Sequence, residues 1–178
     1  MLRKMKINKY FLGIVLIIII IMYFMAGVLF LGNTREDNNM KVSIVQQSIE
    51  YQTFKSETEG YNLASKYAEN LQNNSLDKEA INLQLQEAKK FLQDNIKGIS
   101  RESDNFAQMF YYCGIIYGLD DIYNCGDYEF VKVGIEVRKY IIKVQNGDMD
   151  DELEADLYDK LTKLTADDIQ EVVEAIDN

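Results

Sequence analysis

Twenty-two consecutive residues, Phe11 to Gly32, carry no charge, and the residues before them carry Arg3, Lys4, Lys6 and Lys9. As a helix rising ~1.5 Å per residue, such a run reaches ~33 Å, enough for a hydrocarbon core of ~30 Å. A lone segment in lipid must satisfy its own backbone hydrogen bonds, so helix is the only form open to it. Tyr10 and Phe30 fall near the two expected interfaces, where aromatic rings anchor well. The basic flank has no acidic neighbours, whereas Arg35 is followed at once by Glu36 and Asp37. Positive charge stays on the cytoplasmic side, so the expected topology is N-terminus inside and residues 33–178 outside the plasma membrane.

A cleaved signal peptide is the rival reading. Its apolar core runs to about 7–15 residues and ends at a small-x-small site. Here the run is longer, and the best such site, Met25-Ala26-Gly27, is followed by four more apolar residues. An uncleaved anchor is therefore expected. The organisation that follows is a basic tail (1–9), a transmembrane signal anchor (10–32), a polar linker (33–39) and an extracytoplasmic domain (40–178).

The outer part is long enough for one domain with its own core. The chain contains no Pro, Trp or His. Lack of Pro suits long helices. Lack of His excludes Ser-His-Asp and Cys-His catalysis and every imidazole metal site. With no Walker-type loop, dinucleotide fingerprint or Cys-x-x-Cys either, no catalytic residue, cofactor or metal is expected. All 29 acidic residues follow the apolar run and face 15 Lys and Arg, a net charge of −14. The section 148–178 alone holds 12 acidic residues against two lysines. Such a surface repels nucleic acid and anionic headgroups, which leaves the membrane and a protein as partners.

Apolar spacing along 40–178 predicts an all-α fold of five to seven helices. Met40 to Phe54 reads as helix, and Ser56-Glu57-Thr58-Glu59 reads as a capping box that opens another. Asn73-Asn74-Ser75 ends it and matches the N-glycosylation pattern, which is common by chance. Ser75 or Asp77 caps the next helix, whose Ile81, Leu85, Ala88, Leu92, Ile96 and Ile99 keep one buried face, with Gly98 as its stop. Ser100 or Ser103 opens a helix apolar nearly all round, and such a helix is usually central in its bundle. Residues 130–138 alternate like a strand, so an α+β fold follows if they pair with 40–45; helix is preferred because no other partner strand exists. Asn146-Gly147 is its expected C-cap. Asp148 or Asp150 opens a Leu153, Leu157, Leu161, Leu164 stripe. Thr165 to Asp168 opens a last helix with Ile169, Val172, Val173 and Ile176 inward.

Several groupings invite chemistry. Asp148 to Glu152 resembles the start of a calcium loop, but the sixth and twelfth positions are Leu153 and Asp159 rather than Gly and Glu, so a helix N-terminus is the better reading. Asp120, Asp121 and Glu129 are the carboxylates a wall hydrolase would use. Cys113 and Cys125 form a disulfide if the chain turns at Gly118 to Asp121, and are otherwise two small core residues. Tyr111, Tyr112, Tyr117, Tyr123 and Tyr128 are core by default and an interaction face otherwise, because Tyr keeps a polar tip. The leading expectation is a non-enzymatic interaction or accessory module held at the outer membrane face. A carboxylate hydrolase and a ligand sensor acting through a partner are the alternatives.

Overall fold

The computed structural model describes residues 45–71, 73 and 77–176. The expected tail, anchor and linker, and residues 40–44, lie outside these. No helix among the described residues is long and apolar enough to cross a membrane. The packing below is that of the unit Ser48–Asn178. All regular structure among the described residues is helical, in six helices: α1 (45–71), α2 (Lys78–Asn95), α3 (Phe106–Tyr123), α4 (Glu129–Gln145), α5 (Asp151–Lys163) and α6 (Ala166–Ile176).

The apolar periodicity places the core well. Ile81, Leu85, Ala88, Leu92, Ile96 and Ile99 are all buried, as are Leu157, Leu161, Leu164, Ile169, Val172, Val173 and Ile176. Caps follow the sequence too. Asp77 and Asp150 accept from the amides of Ala80 and Leu153, each at 3.0 Å. Thr165 and Asp168 exchange backbone-to-side-chain bonds as a capping box does. Gly98 (φ 65°) and Gly147 (φ 83°) take the left-handed backbone that ends α2 and α4.

Residues 130–138 lie inside α4, so the strand pairing with 40–45 is not made. The helix buries Phe130, Val131, Val133, Val137, Tyr140, Ile141 and Val144. This broad face arises because α4 packs against α3, α5 and α6. The valine alternation that resembles a strand is one edge of it.

Three expected boundaries are corrected. Ser56 to Glu59 does not open a helix, because α1 runs through it. Thr53 and Thr58 hydroxyls donate back to the carbonyls of Ile49 (3.0 Å) and Phe54 (2.8 Å), so their side chains do not compete for a cap. The buried line Thr53, Gly60, Ala64, Tyr67 also continues in register past Ser56. Helix α3 begins at Phe106 rather than at Ser100 or Ser103, since Ser100 and Ser103 carbonyls close successive turns ahead of it. Nor does the chain turn at Gly118. Helix α3 continues to Tyr123 and stops at Asn124, whose φ of 56° is left-handed and whose amide donates to Asp120.

Gly118 serves packing instead. A Cβ there would come within 2.7 Å of Ala64 Cβ. A Cβ on Gly114 would strike the Glu57 carbonyl, and one on Gly60 the Tyr111 carbonyl. Helices α1 and α3 therefore meet backbone to backbone, running in the same direction. Beside this seam α1 meets α4: Gln145 donates to the buried Thr53 hydroxyl at 3.0 Å, and Arg138 pairs with Glu57. Gly134 opens a further close approach, between α4 and Ile116 of α3.

Leu85 is fully buried in the α2 stripe. Leu85→Ala is expected to cost ~2–5 kcal/mol in denaturant unfolding, and a cost near zero would mean that the stripe does not face the core.

Candidate interaction face

Helix α1 carries two stripes. The line Thr53, Gly60, Ala64 faces the bundle, and Tyr51, Phe54, Thr58 and Tyr61, spaced three, four and three residues apart, lie to one side of it. Tyr51 and Phe54 are 68% and 69% exposed. Phe54, Tyr61, Thr58 and Glu57 then line a groove with Tyr117 of α3 and Arg138 of α4, with a volume of 190 Å³.

The far wall of the groove is held together by its own contacts. The Arg138 guanidinium sits 4.7 Å from the centre of the Tyr117 ring while paired with Glu57. The Tyr61 and Tyr117 rings lie 6.1 Å apart, tilted by 40°. Tyr61 donates its hydroxyl to Asp121 at 2.6 Å. That hydrogen bond raises the Tyr61 phenol above its usual value, with smaller help from burial and from the Asp121 charge. The groove thus offers ring faces, carboxylate oxygen and one guanidinium that is already engaged.

The five tyrosines marked in the sequence do not share one face. Tyr111, Tyr112, Tyr123 and Tyr128 are half-buried and pack on the core. Tyr112 stacks with Phe91 of α2 at 4.9 Å, and Tyr128 stands at the N-cap of α4. Tyr123 reaches the Ala64 carbonyl at 3.4 Å, and burial pushes its phenol up to about 12. Only Tyr117 of the five lines the groove. Sequence spacing puts Tyr61 on an apolar core stripe with Ala64, Tyr67 and Leu71 and marks none of Tyr51, Phe54 and Arg138 as site residues, but the structure leaves Tyr61 half-buried in the groove. The signal for Tyr51, Phe54 and Tyr61 is the second stripe of α1, visible only when 45–71 is read as one helix, whereas Arg138 lies on α4 and has no such signal.

The carboxylates considered for hydrolysis have separate surroundings. Asp121 holds Tyr61, Asp120 lies against Gly126 in the turn after α3, and Glu129 is exposed in the first turn of α4. At the start of α5, Asp150 caps the helix and Glu154 accepts from Tyr140 (2.9 Å) and from the Gly98 amide (2.9 Å). Among the described residues no three His, Cys, Asp or Glu side chains are grouped to hold a metal ion.

A larger groove of 460 Å³ lies between α2 and the start of α6, with Leu83, Ala166 and Ile169 as its apolar part. Gln86, Glu87 and Lys90 on its rim are exposed, and Lys89 donates to the Leu164 carbonyl.

Cys113 in α3 and Cys125 in the turn after it are buried and unbridged. Burial raises both thiols. The nearby Glu57 charge adds to this at Cys113, with Arg138 opposing, and Asp120 helps push Cys125 up to about 11.

No protein-family model, curated protein or solved structure matches the chain.

Because the thiolate is the nucleophile, buried thiols with raised pKa values resist alkylation near pH 7. Iodoacetamide is expected to leave both cysteines unmodified in the folded protein and to label both after denaturation without reductant. Absence of both labels in the denatured, unreduced protein would show a disulfide.

Proposed function

We propose that this chain is a membrane-anchored accessory protein whose helical domain works by contact with a protein partner rather than by catalysis. In this reading residues 10–32 span the plasma membrane, the N-terminus is cytoplasmic and the domain stands outside. The apolar run with its basic flank supports the anchor and its direction.

The observation that carries the contact reading is the pair Tyr51 and Phe54, each about two-thirds exposed on the same side of one helix beside the Tyr117 groove. Scattered surface apolar residues are ordinary, but a cluster of aromatic rings is what partner surfaces are made of. The alternatives have less support. A sensor wants a pocket of about 300–1,000 Å³ that encloses its ligand. The aromatic groove is smaller, at 190 Å³, and the larger groove has a charged, exposed rim. A carboxylate hydrolase wants two acids converging on one bond, whereas Asp120, Asp121 and Glu129 face different neighbours.

The test is complementation of a gene deletion in the host, with protein level checked for every variant. The double change Tyr51→Ser, Phe54→Ser is expected to abolish function, because a few aromatic anchors dominate interface energies. Asp120→Asn and Glu129→Gln are expected to leave it intact. A general acid or base contributes about 10²–10⁴-fold in rate, so loss of function from either swap at normal abundance would favour the hydrolase. A reporter active only outside the cell should work when fused after Asn178; activity only from a cytoplasmic reporter would overturn the topology.

A further inference from the structure

The groove beside Phe54 has a chemistry that selects its occupant, and the argument rests on the contact reading above. Aromatic ring faces are electron-rich and attract cations. This groove already demonstrates it, since Arg138 stacks on Tyr117. Charge along the same line is acidic. On α1, Glu50, Phe54, Glu57 and Tyr61 recur at four, three and four residues, which places the two carboxylates in line with the rings. Asp121 stands at the end of that line, bound to the Tyr61 hydroxyl. The cation within the groove, Arg138, is paired with Glu57. Lys55, on the other shoulder of α1, is paired with Glu59 at 3.8 Å.

Size narrows the occupant further. A volume of 190 Å³ suits one long side chain and excludes a packed helix or a drug-sized ligand. Lysine and arginine combine an apolar stem, which can lie along the exposed Phe54 ring, with a terminal cation. Over longer range, the net charge of −14 beyond the apolar run draws basic segments in and repels acidic ones.

We propose that the groove formed by Phe54, Tyr61 and Tyr117 seats a lysine or arginine side chain from a basic segment of the partner protein. The stem packs on Phe54, and the cation lies over the tyrosine rings near Asp121. Arg138 fixes the far wall by holding Tyr117 and Glu57 in place. An anionic occupant would meet the carboxylates of Glu57 and Asp121 and is disfavoured.

The test uses the full chain in detergent micelles and three fluorescein-labelled probes: hexaarginine, hexaglutamate and a neutral Gly-Ser peptide, followed by fluorescence anisotropy. Hexaarginine is expected to bind more tightly than the other two. Phe54→Ser and Tyr117→Leu are each expected to weaken it by about fivefold or more, the range of a partly desolvated cation–π contact. Tyr117→Phe keeps the ring and should stay within about twofold, as should Glu171→Gln on the exposed side of α6. Circular dichroism checks that each variant is folded; Phe54 is exposed enough that its replacement does not threaten the core. Equal hexaarginine binding by all variants would place the cation elsewhere on the acidic surface and overturn the proposal. So would absence of hexaarginine binding, or equal binding of hexaglutamate or the neutral peptide. If any of these occurs while Tyr51→Ser, Phe54→Ser still fails to complement the deletion, the contact reading stands and only the basic occupant falls.

Discussion

The seam between α1 and α3 has no room for side chains at Gly60, Gly114 and Gly118, and the placement of the exposed aromatic face depends on it. Backbones that touch bring helix axes unusually close, so dispersion contacts are dense and the register is narrow. Glu57 lies over Gly114, Gly60 over Tyr111 and Ile115, and Ala64 against Gly118. Polar contacts then mark both sides of the seam. Gln145 reaches Thr53 and Arg138 reaches Glu57 on the α4 side, while Tyr61 reaches Asp121 and Tyr123 reaches the Ala64 carbonyl on α3. Single polar contacts contribute only about 0.5–1.5 kcal/mol each, but together they fix the rotation of α1 about its axis. With that rotation set, Tyr51 and Phe54 point away from the bundle and Tyr61 and Phe54 border the groove.

Beneath the seam the bundle is held by ordinary burial. Helix α3 is apolar nearly all round because it packs against α2, α4 and α6 as well as α1. Its ring-rich surface is mostly used inside: Phe106 meets Phe110 at 5.4 Å, and Tyr112 meets Phe91. Glu154 joins three elements through the Tyr140 hydroxyl and the Gly98 amide, so one α5 carboxylate secures both α4 and the end of α2. Lys160 bridges Glu136 of α4 (2.7 Å) and Asp156 of its own helix (2.9 Å), and these two carboxylates hold its ammonium in the charged form. Much of the acidic excess of 148–178 is thus spread along exposed faces of α5 and α6, with a minority of carboxylates engaged in structure.

How much of this the sequence reveals depends on the kind of interaction. Burial of the α2, α5 and α6 stripes follows from spacing alone, because those helices each bury one regular face. The caps at Asp77, Asp150 and Thr165 are legible because they are local. The joining of 45–54 to 56–71 is not, since a capping box reads the same whether or not tertiary packing holds the helix through it. Gly118 reads as a turn for the same reason. A glycine between two apolar segments suits a turn or a close approach, and only the presence of Gly60 and Ala64 on a facing helix decides for the second. The tyrosines divide likewise: composition marks Tyr111, Tyr112, Tyr123 and Tyr128 as strongly as Tyr117, but only three-dimensional placement puts one of them beside Phe54 and Arg138. The proposed anchor rests on sequence alone, on hydropathy and flanking charge.

The central claim is that contact between backbones at the glycine seam holds α1 in place. Native-state hydrogen exchange on Gly114→Ala tests it most directly. Helix propensity alone would make that change stabilising, by about 0.5–1 kcal/mol. The seam account predicts the opposite, since the new methyl would strike the Glu57 carbonyl: amides of 53–67 should exchange at least about tenfold faster than in the parent, while those of α2, α5 and α6 keep their protection. Unchanged or stronger protection across α1 would contradict the account.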